Sequence, residues 1–294
     1  MSTKSIFVVS DLHLGDRGPR DNFAVGDREV QFGKFLDFVE AQNGELIIAG
    51  DLFEFWQISF SRILVARKGL LDRLAKMGAV YIVGNHDADL NAFIREPAEF
   101  LAHPFFRTMS GPVDRIIGGK AFRFMHGHEV DSFNRADSPS WGRILTIVAG
   151  IFEDRNGSTV LKNGQTVEEA LEGVGEKLLR LWNWLVNVFK KPVSGGSSPS
   201  PSRELTPAQN SDRADEMLMK YRQDKQREGY DVAIVGHTHQ PGHIGEWYVN
   251  SGAWVGSTND FLRIDHNGTV HVFAWTNGKA VANDRAIPFT SRNA

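Results

Sequence analysis

The stretch SIFVVSDLHLGD, residues 5–16, places an aspartate and a histidine directly after a short apolar run. The run Ile6–Val9 is aromatic or β-branched and too short for a helix, so it predicts a buried strand. Asp11 and His13 follow at the carboxyl end of that strand, which is the side of an α/β sheet where ligands collect. The rest of the chain repeats this order of residues.

Four further stretches consist of an apolar run followed by polar residues. They are ELIIAGDLFE at 45–54, VYIVGNHD at 80–87, FRFMHGH at 122–128 and DVAIVGHTH at 231–239. Residues 29–42 and 61–78 have helical patterns between the first three runs, and Gly78 is placed as a helix C-cap. Strands that alternate with helices predict a layered α/β fold.

The last part of the chain has a different pattern. Three strand-like runs follow Gly236 with turns between them, and they lie at 246–254, 259–265 and 269–275. Short strands joined by turns are typical of antiparallel pairing. We therefore expect a second, largely antiparallel sheet beside the first one.

The strand pattern is interrupted between residues 137 and 228. Because strand-like runs stand on both sides of this interval, it is interpreted as an insertion into one domain. The sequence predicts an α/β domain formed by residues 1–136 and 229–294, with a helical cap inserted at 137–228.

Within the insertion, residues 140–153 and 166–191 have helical patterns. A segment at about 192–207 is rich in Pro, Gly and Ser, which is typical of a flexible linker. A further helix is expected after the linker, with Pro207 in its first turn and Gly229 at its end.

The composition describes an ordinary globular protein of 294 residues, 41% of them hydrophobic and 23% charged. A net charge of −3 gives no general attraction to nucleic acid, so none is expected as a partner. Disulfides and thiolate metal sites are excluded because the chain has no cysteine. Its N-terminal apolar run is too short for a signal peptide, and no apolar stretch reaches the roughly 18 residues that span a membrane. We expect a cytoplasmic protein, at most peripheral on a membrane surface.

The polar residues that follow the five runs have the chemistry of metal ligands. They are Asp11, His13, Asp51, Asn85, His126, His237 and His239. Carboxylates, imidazoles and an amide oxygen without sulfur suit Mn, Fe or Zn. Seven ligands are too many for one ion with an open position, but they suffice for two ions that share a carboxylate. Such a pair of divalent ions is typical of phosphoryl transfer.

The other histidines are weaker candidates. His128, the second histidine of the HGH stretch, is placed behind His126 as a ligand. The histidines outside the motifs are interpreted as surface or hydrogen-bonded core residues, and they are His103, His243, His266 and His271.

The order of these motifs resembles that of the calcineurin-like metallophosphoesterases. The resemblance implies an α/β fold in which two sheets form a sandwich flanked by helices. It also implies two metal sites that share Asp51, with manganese as the expected metal and iron or zinc as alternatives. One ion would be held by Asp11, His13, Asp51 and His239, and the other by Asp51, Asn85, His126 and His237.

The resemblance further implies two catalytic residues that do not bind metal. A water molecule activated between the ions would attack phosphorus in line, and His86 would protonate or hydrogen-bond to the departing oxygen. The family often orients this histidine with the second acid of a GD-x-x-D motif. Glu54 occupies that position here.

Within that family, SDLHLGD, GDLFEFW and GHTHQP are most similar to the UDP-2,3-diacylglucosamine pyrophosphohydrolases of lipid A synthesis. This chain differs in having His86 where those enzymes have arginine, and HGH where they have HGD. The resemblance implies a phosphodiester or pyrophosphate substrate that is nucleotide-linked or lipid-containing. The alternatives are a nucleotide or cyclic-nucleotide phosphodiesterase and, from another class, a non-catalytic metal-bound scaffold.

The stretch LLRLWNWLVNVFKK, residues 178–191, carries apolar residues on two helical stripes. One interpretation is a helix buried on two sides. The other is a cap whose free face contacts acyl chains or the membrane interface, where Trp and flanking Lys are favoured.

Overall fold

The computed structural model describes residues 4–94, 103–130, 207–255 and 259–283. The chain divides into one compact unit of Met1–Ile147 with Ser211–Ala294 and another of Val148–Asn210. The predicted helices at 140–153 and 166–191, and the linker up to residue 206, lie outside the described residues. The boundaries of the cap therefore stay a prediction. No helix in the described ranges combines the length and the apolar character needed to cross a membrane.

Twelve strands form in the described parts of the chain. In chain order they are β1 Ile6–Val9, β2 Glu45–Ala49, β3 Val80–Ile82, β4 Met109–Ser110, β5 Val113–Ile117, β6 Lys120–Phe124, β7 Val232–Val235, β8 Gly242–Ile244, β9 Tyr248–Asn250, β10 Asp260–Ile264, β11 Val270–Thr276 and β12 Lys279–Ala282. The five sequence runs that precede the polar motifs form β1, β2, β3, β6 and β7, as predicted.

The strands pair into two mixed sheets. The first has the order β12-β11-β10-β1-β2-β3-β4, in which β1 to β4 are parallel and β10 to β12 antiparallel. The second has the order β5-β6-β7-β9-β8, with β6, β7 and β9 parallel and an antiparallel strand at each edge. Two mixed sheets with flanking helices confirm the predicted α/β sandwich.

The predicted composition of the second sheet was wrong. Of the three late runs, only the first contributes to that sheet, through β9. The other two form β10 and β11, which extend the first sheet beyond β1 by antiparallel pairing. Strand-like patterns predict the presence of strands but not their partners, because pairing depends on contacts far apart in sequence.

Three α-helices complete the described fold, and they are α1 Arg28–Ala41, α2 Phe60–Met77 and α3 Pro207–Glu228. Helix α2 ends as predicted, since Gly78 adopts a left-handed φ of 65° and its N–H donates to carbonyls of the last turn. Helix α3 begins at Pro207 and ends before Gly229, also as predicted.

The described elements form four layers. Phe7, Val9 and Ile48 on one face of the first sheet pack in a buried cluster with residues of α1 and α2. Alternate residues of the same strands face the second sheet in another cluster, which joins Val8 to Ile234. Helix α3 covers the outer face of the second sheet through Tyr221 and its neighbours. Strands buried on both faces explain why these runs are continuously apolar.

Candidate metal centre

The predicted ligands lie in loops with an uncommon backbone conformation. Eight non-glycine residues in the described ranges have positive φ. Five of them are predicted ligands, namely Asp11, His13, Asp51, His237 and His239, with φ between 48° and 68°. Side chains disfavour this left-handed region, and such strain is concentrated at functional sites because the surrounding structure has to maintain it. The chain therefore turns sharply after three strands and aims these side chains at one place.

Two glycines of the motifs leave room for this convergence. A Cβ atom on Gly50 would collide with the ring of His126, and one on Gly84 would collide with the carboxylate of Asp51. The glycines that precede Asp51 and Asn85 are thus required by the close approach of ligand side chains from neighbouring strands.

Asp11, His13 and His239 form the first group of ligand atoms. His239 Nε2 lies 3.1 Å from Asp11 Oδ1. His13 Nε2 lies 3.9 Å from Asp11 Oδ1 and 3.8 Å from Asp51 Oδ2. This His13 nitrogen is buried and has no hydrogen-bond partner. A buried polar atom without a partner is costly, so its place among carboxylate oxygens fits a cation.

A second group forms around His126, which is fully buried. Its Nδ1 lies 2.9 Å from the carbonyl oxygen of Ala49 and donates to it. Its Nε2 is thereby left facing Asp51 Oδ2 at 3.1 Å and Asn85 Oδ1 at 3.0 Å. The ring of His237 lies 5.1 Å from that of His126, between centroids. The loops that carry the seven predicted ligands meet here, and Asp51 Oδ2 contacts His126 in this group and His13 in the first.

Each carboxylate has one oxygen fixed by the protein and one directed into the site. Asp11 Oδ2 accepts hydrogen bonds from the Ser10 hydroxyl and from the His237 N–H, the latter at 3.0 Å. Asp51 Oδ1 accepts the His86 N–H at 2.8 Å. The remaining oxygens, Asp11 Oδ1 and Asp51 Oδ2, are those that face the imidazole nitrogens. Such outer hydrogen bonds orient ligating groups.

The two carboxylates remain ionised. Burial alone would raise the pKa of Asp11, but the charges of His239 and His126 outweigh it and lower the pKa to about 2. For Asp51 burial is again opposed, mainly by His126 and His86, and the pKa lies well below its usual value. Burial lowers the pKa of His126, but Asp51 and Asp11 raise it to about 10. The raised pKa favours a protonated His126 beside Asp51 in the metal-free protein, and a cation bound there would replace that proton.

Glu54 links a predicted ligand to the predicted acid. Its Oε2 lies 3.0 Å from His13 Nδ1 and 2.9 Å from His86 Nδ1. Burial raises the pKa of Glu54, but hydrogen bonds from His13 and His86 lower it to about 2. An ionised carboxylate only accepts, so both Nδ1 atoms carry hydrogen. The Nε2 atoms of His13 and His86 are therefore not used by this carboxylate.

The donor set fits two divalent cations. Two carboxylates, an amide oxygen and imidazole nitrogens are suitable ligands for Mn, Fe or Zn. The orphaned His13 Nε2 and the two inward carboxylate oxygens mark where positive charge is needed. The assignment of individual ligands to two ions stays a prediction.

Three residues near the site had been given no definite role by the sequence. Trp56 stacks on His86, and its place two residues after Glu54 in the same motif loop was the available signal. Asp87 accepts the N–H groups of Gly84 and Phe53, at 2.6 Å and 3.1 Å, and so ties two ligand loops together. His128 is buried, its Nδ1 has no hydrogen-bond partner and lies 3.7 Å from Glu129 Oε2, and burial lowers its pKa to about 4.

Two histidines outside the motifs behave as expected for hydrogen-bonded residues. His103 caps a short 3-10 helix and contacts Asp72 at 3.1 Å, and His271 contacts Asp265 at 2.9 Å. Neither belongs to a group of ligand atoms in the described ranges.

Comparison with known proteins shows which family the chain belongs to. A model described as calcineurin-like phosphoesterase matches residues 4–241. No curated protein matches the chain. Among solved structures, vacuolar protein sorting 29 from Cryptosporidium parvum is similar, with 12% identity, 95% of each chain covered and a TM-score of 0.41. At that identity and score, the similarity bears on neither activity nor partners.

Proposed function

We propose that this chain, which belongs to the calcineurin-like phosphoesterase family, is a two-metal phosphohydrolase. It would cleave a phosphodiester or pyrophosphate bond. The observation that carries the proposal is the convergence of Asp11 Oδ1, Asp51 Oδ2 and the unpartnered His13 Nε2. Burying two carboxylate oxygens beside a nitrogen that has no hydrogen-bond partner costs stability, so packing alone does not explain the arrangement. These atoms fit a centre that holds cations and binds phosphate oxygens.

Asp51 would be shared by the two ions, with Asp11, His13 and His239 on one side and Asn85, His126 and His237 on the other. Bound divalent ions, for which manganese is the first candidate, would activate a water molecule and neutralise charge on the phosphoryl oxygens. The Ser10 hydroxyl and two backbone N–H groups hold the outer oxygens, Asp11 Oδ2 and Asp51 Oδ1, so the inward oxygens are oriented before the ions arrive.

His86 would protonate the departing oxygen through Nε2. Its Nδ1–H is held by ionised Glu54. Burial lowers the pKa of His86, but Asp51 and Glu54 outweigh that effect and raise it above the usual value. A raised pKa favours the protonated imidazole that general acid catalysis requires.

For the substrate we propose a nucleotide-linked or lipid-containing pyrophosphate, such as UDP-2,3-diacylglucosamine. The support is the similarity of SDLHLGD, GDLFEFW and GHTHQP to enzymes that act on that substrate. The acyl chains or a membrane surface would contact residues 178–191, whose two apolar stripes exceed what one packed face requires. That arrangement corresponds to a cytoplasmic protein that is peripheral on the membrane.

The test is hydrolysis by protein stripped of metal and then reloaded with Mn²⁺. Bis(p-nitrophenyl) phosphate measures the reaction class, and we expect turnover that depends on the metal. A panel of nucleoside-diphosphate lipids and cyclic nucleotides then measures the substrate class, and we expect preference for the lipids. Preference for cyclic nucleotides would overturn the substrate proposal alone. Metal binding without hydrolysis of any ester would make the protein a scaffold and overturn the enzyme proposal.

A further inference from the structure

We propose that Trp56 is a positioning residue that holds the imidazole of His86 in the plane from which it protonates the leaving oxygen. The inference rests on the proposed function, because it takes His86 as the acid. It adds a residue to which neither the motifs nor the family match assign a role.

The indole of Trp56 lies flat on the imidazole of His86. The ring centroids are 3.6 Å apart and the planes differ by 19°. The ring of His13 meets His86 at a different angle, edge-on at 87° with centroids 4.4 Å apart. Two rings therefore contact His86, one stacked on its face and one perpendicular to it.

The hydrogen bond to Glu54 does not by itself fix this plane. It joins a single pair of atoms, His86 Nδ1 and Glu54 Oε2 at 2.9 Å, and the imidazole can swing about that line. The Trp56 indole against one face of the imidazole prevents this rotation. Together the two contacts determine where Nε2 points, which is the atom that has to reach the leaving oxygen.

Trp56 is itself held from both sides. Its backbone N–H donates to Glu54 Oε1 at 3.2 Å, and its Nε1–H donates to the Asn85 carbonyl oxygen at 3.2 Å. The residue is only 9% exposed. An indole fixed in this way provides a rigid flat surface on which the imidazole of His86 stacks. It connects the carboxylate that binds His86 to the backbone that carries His86.

A purely structural role gives a different expectation. If Trp56 only supported the loop, its loss would displace Asn85, weaken metal binding and reduce the hydrolysis of every ester alike. If it positions His86, its loss leaves the metals in place. The rate then falls most for esters whose leaving group needs a proton.

The first experiment compares Trp56→Leu, Trp56→Phe and a control, Trp247→Phe, by metal content and by kcat on two esters. Trp247 precedes β9 at the opposite end from the ligands, since Tyr248 pairs with Ala233 in the first half of β7. Bis(p-nitrophenyl) phosphate has a leaving group that departs readily, whereas diphenyl phosphate has one that needs protonation.

We expect Trp56→Leu to bind both ions and to lose about tenfold or more in kcat on diphenyl phosphate, but less than about threefold on the nitrophenyl ester. Trp56→Phe keeps an aromatic face and should stay within about threefold of the wild type on both. Equal losses on both esters in an active Trp56→Leu protein, or loss of metal, would overturn the role of Trp56 alone. A wild-type protein that binds two Mn²⁺ and hydrolyses neither ester would overturn the proposed function as well.

A second readout does not depend on activity. In metal-free protein, the ring current of Trp56 should shift the NMR signals of the His86 ring protons upfield, and His86→Gln identifies those signals. Trp56→Leu should move them downfield and Trp247→Phe should leave them in place. Signals that do not move in Trp56→Leu would show that the rings are not stacked in solution, which would overturn the proposal.

Discussion

His126 and Asp51 meet at the centre of the site, with Nε2 and Oδ2 separated by 3.1 Å and both side chains almost completely buried. A buried carboxylate and imidazole at this distance bind either a shared proton or a cation. Asp51 Oδ2 also lies 3.8 Å from His13 Nε2, so it contacts an imidazole of each group of ligand atoms.

Asp51→Asn removes the negative charge that the two ions would share. We expect the content of both metals to fall, because the amide keeps the size of the side chain but provides no compensating charge. Hydrolysis should fall with it by several orders of magnitude. Metal analysis and initial rates on the same preparation measure both effects. Two bound ions with wild-type turnover would contradict the assignment of Asp51.

His86→Ala separates catalysis from metal binding. His86 Nδ1 is held by Glu54, and its ring lies in a separate group with His13 and Glu54, apart from the groups around Asp11 and His126. We expect the metal content to be retained and kcat to fall about 10²- to 10⁴-fold, the usual range for a lost general acid. If the metals are lost instead, His86 is a ligand and the roles in the site have to be reassigned.

Glu54→Gln should weaken both functions, because one carboxylate oxygen accepts from His13 and His86. The amide has no charge to stabilise either Nδ1–H. We expect metal affinity to fall about 10- to 100-fold, as when outer partners of ligands are changed, together with a loss of rate. Calorimetric titration with Mn²⁺ checks the affinity. If the rate falls in this variant while its metal affinity is unchanged, Glu54 orients His86 but does not support metal binding through His13.

The stability of the metal-free protein should depend on pH in a defined direction. The pKa of His126 is raised from 6.5 to about 10, so its contribution is fully present below pH 6.5 and is lost as the pH rises towards 10. The pKa of Asp11 is lowered from 3.8 to about 2, so its contribution is present above pH 3.8 and is lost as the pH falls towards 2. We expect the free energy of unfolding in chelator to decrease between pH 6.5 and 10. An increase over that interval would contradict the protonated His126–Asp51 pair.

The sequence predicted the fold class and several of the side chains that meet at the strand ends, but not which sheet each late strand joins. Asp11, Asp51 and Asn85 could be found because each follows an apolar run, and the fold brings the ends of parallel strands together. The placement of β10 and β11 in the first sheet could not be predicted, because an apolar strand pattern does not show which strand it will pair with. Local signals determine where a strand ends, whereas packing of the whole chain determines which sheet it joins.

Trp56 shows a second limit of prediction from sequence. A tryptophan near a motif is usually an ordinary core residue, and its position in the chain does not reveal the orientation of its ring. The face-to-face contact with His86 arises from the meeting of two loops that are about 30 residues apart in sequence. Only the three-dimensional arrangement could reveal it.

The central claim is that the ligands around Asp51 hold two cations that hydrolysis requires. The most direct test is titration of metal-stripped protein with Mn²⁺, in which bound metal and hydrolysis of bis(p-nitrophenyl) phosphate are measured at each step. We expect binding to saturate at two ions per chain and activity to rise fully only when the second site is filled. Full activity in the stripped protein, or metal binding that saturates at a number other than two ions per chain, would contradict this expectation.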